Sequence, residues 1–454
     1  MFRVQVFLKL CLPISLLVIS TLLVGCTILT EPLADTKPLP SPTSTAVDSA
    51  KPTSDLRDND ALLDEIAYRS FLFFWQEANP HTGLIKDRAN NFGEDDYTVA
   101  SIAAVGFGLT ALCVGQEWGW ITPEQAFERT LTTLLFFRDE MEHVHGFYYH
   151  FVDLNTGERV WDSEISSIDT ALFLAGGLVS GACFPDTQVE VIANDLYERA
   201  DFEWLRTDDG TRPEELLLGH GWTPEDGFLP YRWDSYSELM ILYLLAMGSP
   251  THPIPAESWT AWSRPEGDYA GFTTFAQGPL FTHQYSQAFV DFRDQRDTLG
   301  FDYFASSVNA TLANRQFAID QKNDFKTYEE HIWGLTASDG PHGYRAYGAP
   351  PGAINHDGTV SPAAPAGSIV FTPDLSITAL RTMYNHYGDH IWGQYGFSDA
   401  FNVDQDWYDQ DVIGIDVGIT LIMLQNHKDE FIRRLFMQHP SIQNAMVKAG
   451  FHQE

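Results

Sequence analysis

Two kinds of helical segment alternate along the chain. "TVASIAAVGFGLTALCVG" (98–115), "IDTALFLAGGLVSGACF" (168–184), "SELMILYLLAMG" (237–248) and "VIGIDVGITLIMLQN" (412–426) have almost no polar face. "NDALLDEIAYRSFLFFWQEA" (59–78), "ITPEQAFERTLTTLLFFRDEME" (121–142), "TQVEVIANDLYERADFEWLR" (187–206), "TPDLSITALRTMYNHYG" (372–388) and "KDEFIRRLFMQ" (428–438) carry an apolar stripe and a charged face. A helix that is apolar all round belongs inside, and one with a stripe covers it. Further helices over about 283–295, 301–322 and 328–337 bring the number to roughly a dozen. Two concentric rings of six satisfy the pattern, so the chain is predicted to be all-α, an (α/α)6 barrel with a few short β-hairpins. An α-solenoid would share the helix pairs but would also show a repeat period, and the sequence has none.

Local signals sharpen this outline. Thr122 reads as an N-cap, with Pro123 in the first helical position and Gln125 closing a capping box. "GFYYHFVDLNTGERVW" (146–161) alternates with period two around Asn155-Thr156-Gly157 and reads as a hairpin. At the N-terminus, Arg3 and Lys9 precede an apolar run from Leu10 to Val24 that is too short for a secure membrane span. The run ends in "LVGC" (23–26), which resembles the bacterial lipobox. Residues 1–25 are therefore predicted to be a lipoprotein signal peptide and Cys26 the lipidated residue. Thr27 stands where the aspartate of inner-membrane retention would be. A Pro/Ser/Thr-rich tether follows over 26–57, and 58–454 forms the folded domain, exported to the periplasm or cell surface and held at the membrane through Cys26. Cys113 and Cys183 lie in apolar helical stretches and read as core thiols.

Composition narrows the partners. Hydrophobic residues make up 44% of the chain and aromatics 13%, enough for a real core. Lys+Arg 27 against Asp+Glu 62 gives a formal charge of −35, which repels nucleic acid and anionic lipid. A neutral ligand with flat faces, such as a sugar, suits the 12 Trp, 18 Tyr and 31 Phe, although most of these rings belong to the core. The chain is read as a monomer.

If the apolar helices form the inner ring, their N-termini open at one end of the barrel, and the carboxylates gather there. Asp95 and Asp96 precede the helix expected near Thr98. Asp162, Glu164 and Asp169 lead into the next, and Asp234 and Glu238 into the third. Glu329 and Glu330 head "TYEEHIWGLTASDGP", and Asp409, Asp411 and Asp416 head the last. Capping a helix dipole needs one acid per helix, so the three around Trp161 exceed it. Trp161, Trp233, Tyr236, Trp333, Tyr344 and Tyr347 lie in the same head regions. Carboxylates in pairs among aromatic rings are what glycoside hydrolysis requires: one carboxyl protonates the leaving oxygen while an ionised partner activates water or attacks the sugar. Crowded acids divide this labour, because they cannot all ionise cheaply and one pKa rises. Zinc-protease, Walker and dinucleotide-binding motifs are missing, as is a Gly-x-Ser-x-Gly elbow. The 15 His are scattered, and neither a metal nor a cofactor is predicted.

"TGLIKDR", "GFYYHFVDLNTGERVWDSEISSIDTALFLAGG", "YSELMILYLLAMGSP", "YEEHIWGLTASDGPHGYRAYGAP", "DGTVSPAAPAGSIVFTP" and "WGQYGFSDAFN" together resemble the glucoamylase-like domain, the group that holds the endo-β-1,2-glucanases of glycoside hydrolase family 144. The resemblance spans nearly all of 60–450. It implies an (α/α)6 barrel, exported action on β-1,2-glucan and an inverting mechanism. It carries catalytic roles onto Asp162, Glu164, Asp169 and Glu238 without saying which is the acid. Substrate contacts are expected from Trp161, Trp233, Tyr236, Glu330, Trp333, Tyr344, Tyr347 and Asp416. Pro365 departs from a stretch usually richer in Ala and Gly. Three readings stay open: a β-1,2-glucan hydrolase, a glycosidase of another linkage or an exo-acting sophorose-releasing enzyme on the same barrel, and a glycan-binding lipoprotein whose acids are only caps.

Overall fold

The computed structural model describes residues 56 and 58–453. Cys26, the signal segment and almost all of the tether lie outside the described residues. In chain order the helices are α1 (Asn59–Gln76), α2 (Ile102–Glu117), α3 (Pro123–Asp139), α4 (Ser167–Cys183), α5 (Gln188–Arg199), α6 (Phe202–Thr207), α7 (Met240–Gly248), α8 (Ser258–Ala261), α9 (Phe281–Phe289), α10 (Tyr303–Gln321), α11 (Ala363–Gly367), α12 (Pro373–Ile391), α13 (Gly414–Asp429), α14 (Phe431–Met437) and α15 (Pro440–Lys448). Six of them close a ring: α2 packs on α4, α4 on α7, α7 on α9, α9 on α11, α11 on α13, and α13 back on α2. Around it stand α1 against α13, α3 against α2, α5 against α4, α15 against α7, α10 against α9 and α12 against α11. The result is the (α/α)6 barrel. The apolar segments form the inner ring because burying every face is the way they leave water. No described helix is long and apolar enough to cross a membrane.

The tightest inner contact depends on glycine. A Cβ on Gly176 would sit 2.0 Å from the Gly106 carbonyl oxygen, and one on Gly106 would sit 2.3 Å from that of Leu172. The backbones of α2 and α4 therefore touch directly. The capping box Thr122/Pro123/Gln125 starts α3 as the sequence implies. Cys113 and Cys183 are free thiols.

The fifth inner position departs from the sequence reading. Residues 328–337 are not helical: Glu329 bridges to Ile332, Gly334 takes φ 141°, and Ala337–Ser338 is a strand paired with Arg345–Ala346. Tyr328, Ile332, Trp333 and Leu335 mimic helical spacing, but they fill a satellite core. The inner helix there is α11, five residues long and built on Pro365, in a stretch where the sequence pattern predicts none. The helix expected over 283–295 is Phe281–Phe289, and the helix placed near Thr98 begins at Ile102, after the strand Val99–Ser101. The hairpin turn at 153–158 is present, with the Asp153 amide donating to the Glu158 carbonyl at 2.8 Å. Its arms meet beyond the turn, Val152 bridging to Arg159 and the Val160 amide donating to the Phe151 carbonyl at 3.1 Å, while Phe151–Asp153 also pairs with Val99–Ser101 and Tyr148–Tyr149 with Ile165–Ser166.

Candidate active site

Three inner helices are entered directly from short strands. Val99–Ser101 runs into α2, Ile165–Ser166 into α4 and Asp411–Ile413 into α13. Strand pairing therefore sets which side chains meet at the mouth. Arg88–Asn90 pairs with Asp411–Ile413, which brings Asp87 and Arg88 to the head of α13. Tyr149 pairs with Ile165, and the next amide, that of His150, donates to the Glu164 carbonyl at 2.9 Å. The N-caps of α2 and α4 are Ser101 and Ser166, while α7, α9, α11 and α13 have no side-chain cap. Asp162, Glu164, Glu238 and Asp416 thus cap no inner helix.

On one side of the mouth, His150 stands between two carboxylates. Its Nδ1 lies 3.1 Å from Glu164 Oε1 and its Nε2 lies 3.5 Å from Asp169 Oδ1. Burial pushes the imidazole pKa down, but the charges of Asp169, Glu164 and Asp87 outweigh it and lift it to about 9. The imidazole is therefore cationic at neutral pH, and its hydrogen bond holds Glu164 below the usual carboxylate range. Asp169 also accepts from Ser166 Oγ at 2.5 Å. Glu238, two residues before α7, is half-buried. Burial raises its carboxyl to about 7, and the Asp169 charge adds to the rise. This carboxyl keeps its proton up to neutral pH, whereas that of Glu164, bonded to His150, does not.

A second group of acids gathers around the head of α13. Asp416, in the first turn, is buried, and burial raises it to about 7. It touches Asp399, which burial and the Asp416 charge push well above the usual range. Asp409 is raised to about 7, first by burial and then by Asp339. Arg88 meets Asp339 at 2.7 Å. Counted round the ring, α7 and α13 are the third and sixth members, so Glu238 and Asp416 approach from opposite sides. Tyr285 of α9 lies in reach of both: burial raises its hydroxyl pKa, and the charges of Asp416, Glu238 and Asp399 add to it.

The aromatic expectations divide. Trp161 is 62% exposed and Tyr344 49% exposed, so both offer open faces. Trp161 and Asp162 both take left-handed backbone (φ 58° and 50°), an unfavourable conformation for either residue, and the Asp162 carbonyl accepts from Arg159 Nη2 at 2.6 Å. Trp233 is buried, its Nε1 donating to Ser167 Oγ at 2.9 Å. Tyr236, Trp333 and Tyr347 are also buried, so their rings offer no open face here. Tyr236 OH meets His283 Nδ1 at 3.0 Å, Tyr347 OH donates to Asp357, and Trp333 fills the satellite core. Glu330 is on the surface, paired with Arg315 at 3.4 Å. The sequence reading missed His150, Asp87, Arg88, Asp339 and Asp399. Each lies inside a motif that carries the family resemblance, and that was the available signal.

A family model described as "Putative glucoamylase" matches residues 230–440. An exo β-1,2-glucooligosaccharide sophorohydrolase (non-reducing end) of Parabacteroides distasonis is 28% identical over 429 residues, which cover 86% of this chain and 58% of that protein's length. An endo-β-1,2-glucanase of Chitinophaga pinensis, solved with sophorotriose and glucose, is 30% identical with a TM-score of 0.78, over 87% of this chain and 99% of that one. A Bacteroides uniformis structure called a "putative glucoamylase" is also 30% identical, with a TM-score of 0.81 over 87% and 98%.

Proposed function

We infer the function from one premise: the chain belongs to the glucoamylase-like family, which includes the β-1,2-glucanases. It is a glycoside hydrolase acting on β-1,2-linked glucan, the substrate class named for the Parabacteroides and Chitinophaga relatives. The observation that carries the reading is Glu238, a carboxyl with pKa about 7 set across the barrel mouth from Asp416. Glu238 gives its proton to the glycosidic oxygen as the bond to the anomeric carbon breaks. Water attacks that carbon from the opposite face and passes a proton to Asp416, so the configuration inverts. Asp169 acts through its charge on Glu238, and His150 offsets the crowding of negative charge. The open faces of Trp161 and Tyr344 stack on sugar rings, and Asp162 at the rim accepts from sugar hydroxyls. A panel of linkage-defined glucans tests this. β-1,2-Glucan should be depolymerised and the first product should carry the α configuration. Cleavage of other linkages alone removes the substrate assignment, and a β product removes the role of Asp416.

We also propose that the chain is a lipoprotein anchored through Cys26. Acyl transfer needs the thiol, so Cys26→Ser should lose fatty-acid labelling and leave the membrane fraction. Retention of both in the variant would refute the anchor.

A further inference from the structure

Beside the reacting pair, three more carboxylates converge at the rim. Asp399 and Asp409 stand at the open end of the hairpin formed by Phe401–Asn402 and Trp407–Tyr408. The Asp409 amide donates to the Ala400 carbonyl at 3.1 Å and the Asp399 amide to the Asp411 carbonyl at 3.0 Å, which fixes the two side by side. Asp339 follows the strand Ala337–Ser338, and its amide donates to Asp399 Oδ2 at 2.7 Å. Oxygens from the three carboxylates lie within 4.8 Å of one another. Asp399 is 3% exposed and Asp409 8%. Each has one oxygen engaged, Asp399 Oδ2 by the Asp339 amide and Asp409 Oδ1 by the Asp411 amide at 3.2 Å. Of the other oxygens, Asp409 Oδ2 is buried without a hydrogen-bond partner, and Asp399 Oδ1 is buried with no N–H or hydroxyl donor, the Asp399 carboxyl otherwise meeting that of Asp416. Arg88 pairs with Asp339 and so offsets its charge. Buried carboxylate oxygens left without donors are unfavourable, and a bound cation satisfies them.

We propose that Asp339, Asp399 and Asp409 bind one calcium ion, which ties three chain segments together at the rim of the cleft. An all-oxygen donor set selects a hard cation. Three carboxylates gathered from three chain segments suit calcium, whereas magnesium is usually held by one or two carboxylates and keeps several of its waters. Calcium accepts six to eight oxygens in irregular geometry, so water and carbonyl groups complete the shell. Asp416 stays outside the donor set and keeps its role in hydrolysis. The ion is a structural clamp that the hydrolytic reading does not require.

The test uses the full chain, stripped with a chelator and titrated with calcium chloride alone, followed by calorimetry and by melting temperature. One ion per chain should bind saturably, melting temperature should climb with calcium concentration, and magnesium should bind about tenfold or more weakly. Asp409→Asn and Asp399→Asn should each weaken calcium binding by about tenfold or more, the usual scale for damage to a metal site. Glu330→Gln, on the surface, should leave binding unchanged. Absence of saturable binding up to about 10 mM, above the range of weak calcium modules, overturns the proposal. So does equal or tighter binding of magnesium, or an affinity unaltered in both Asp variants. The wild-type titration decides even if a variant fails to fold. Since no substrate is present, the outcome is independent of whether the chain hydrolyses glucan.

Discussion

Glu238→Gln should lower turnover of β-1,2-glucan by about two to four orders of magnitude, the range that general acid catalysis supplies. The substitution keeps size and hydrogen-bonding capacity and removes the proton. Its effect should depend on the leaving group. An aryl glycoside departs without protonation, so the variant should cleave it at close to the wild-type rate while failing on the natural glucan. The wild-type enzyme should lose activity as pH rises through about 7, because Glu238 must be protonated to act. Stability should show the matching sign. The folded-state pKa is raised above the ordinary 4.5, so the carboxyl favours folding below about 4.5 and that contribution is lost as pH climbs through 7. At pH 8 the variant should therefore melt no lower than the wild type, and the two should converge in acid. A cap would behave the other way, losing about 1 kcal/mol of stability with catalysis intact. Turnover of the natural glucan within a few-fold of wild type would remove Glu238 from the mechanism.

The inner ring was legible because α2, α4, α7 and α13 are apolar on every face, a pattern with few structural solutions. The fifth inner helix was not legible. α11 is five residues long with Pro365 at its middle, too short to show a period, whereas 328–337 shows helical spacing and is held out of a helix by Gly334 and its neighbours' packing. The site divides along the same line. Glu164, Asp169, Glu238 and Asp416 could be placed at the mouth because each lies just before or within an inner helix. Asp87, His150, Asp339 and Asp399 sit on short strands and loops whose pairing partners are distant in sequence, such as Arg88 with Ile413. No periodicity reports such a pairing. Aromatic residues were the least reliable guide. Tyr236, Trp333 and Tyr347 lie near acids in sequence as Trp161 does, yet their rings are buried, and burial is decided by packing across the whole barrel. The left-handed backbone at Trp161 and Asp162 is likewise a property of the folded turn rather than of residue type.

Asp416→Asn should be as damaging as Glu238→Gln on the glucan, by about two or more orders of magnitude, but with a different signature. Its carboxylate is assigned to the water, so a better leaving group gives no relief, and the aryl glycoside should be lost along with the natural substrate. Azide, which needs no deprotonation, should restore cleavage and yield the α-glycosyl azide, because the nucleophile still enters from the face opposite the leaving group. The fold should tolerate the change. The buried Asp416 carboxyl touches Asp399, so an amide there removes a group that is costly to ionise and offers a donor to its neighbour. The melting temperature should hold or rise. Turnover of either substrate near the wild-type rate would shift the base elsewhere. Normal cleavage of the aryl glycoside alone would mean that Asp416 assists the leaving group. Loss of both substrates with a normal melting temperature and rescue by azide is the outcome that two carboxyls facing each other across the barrel should produce.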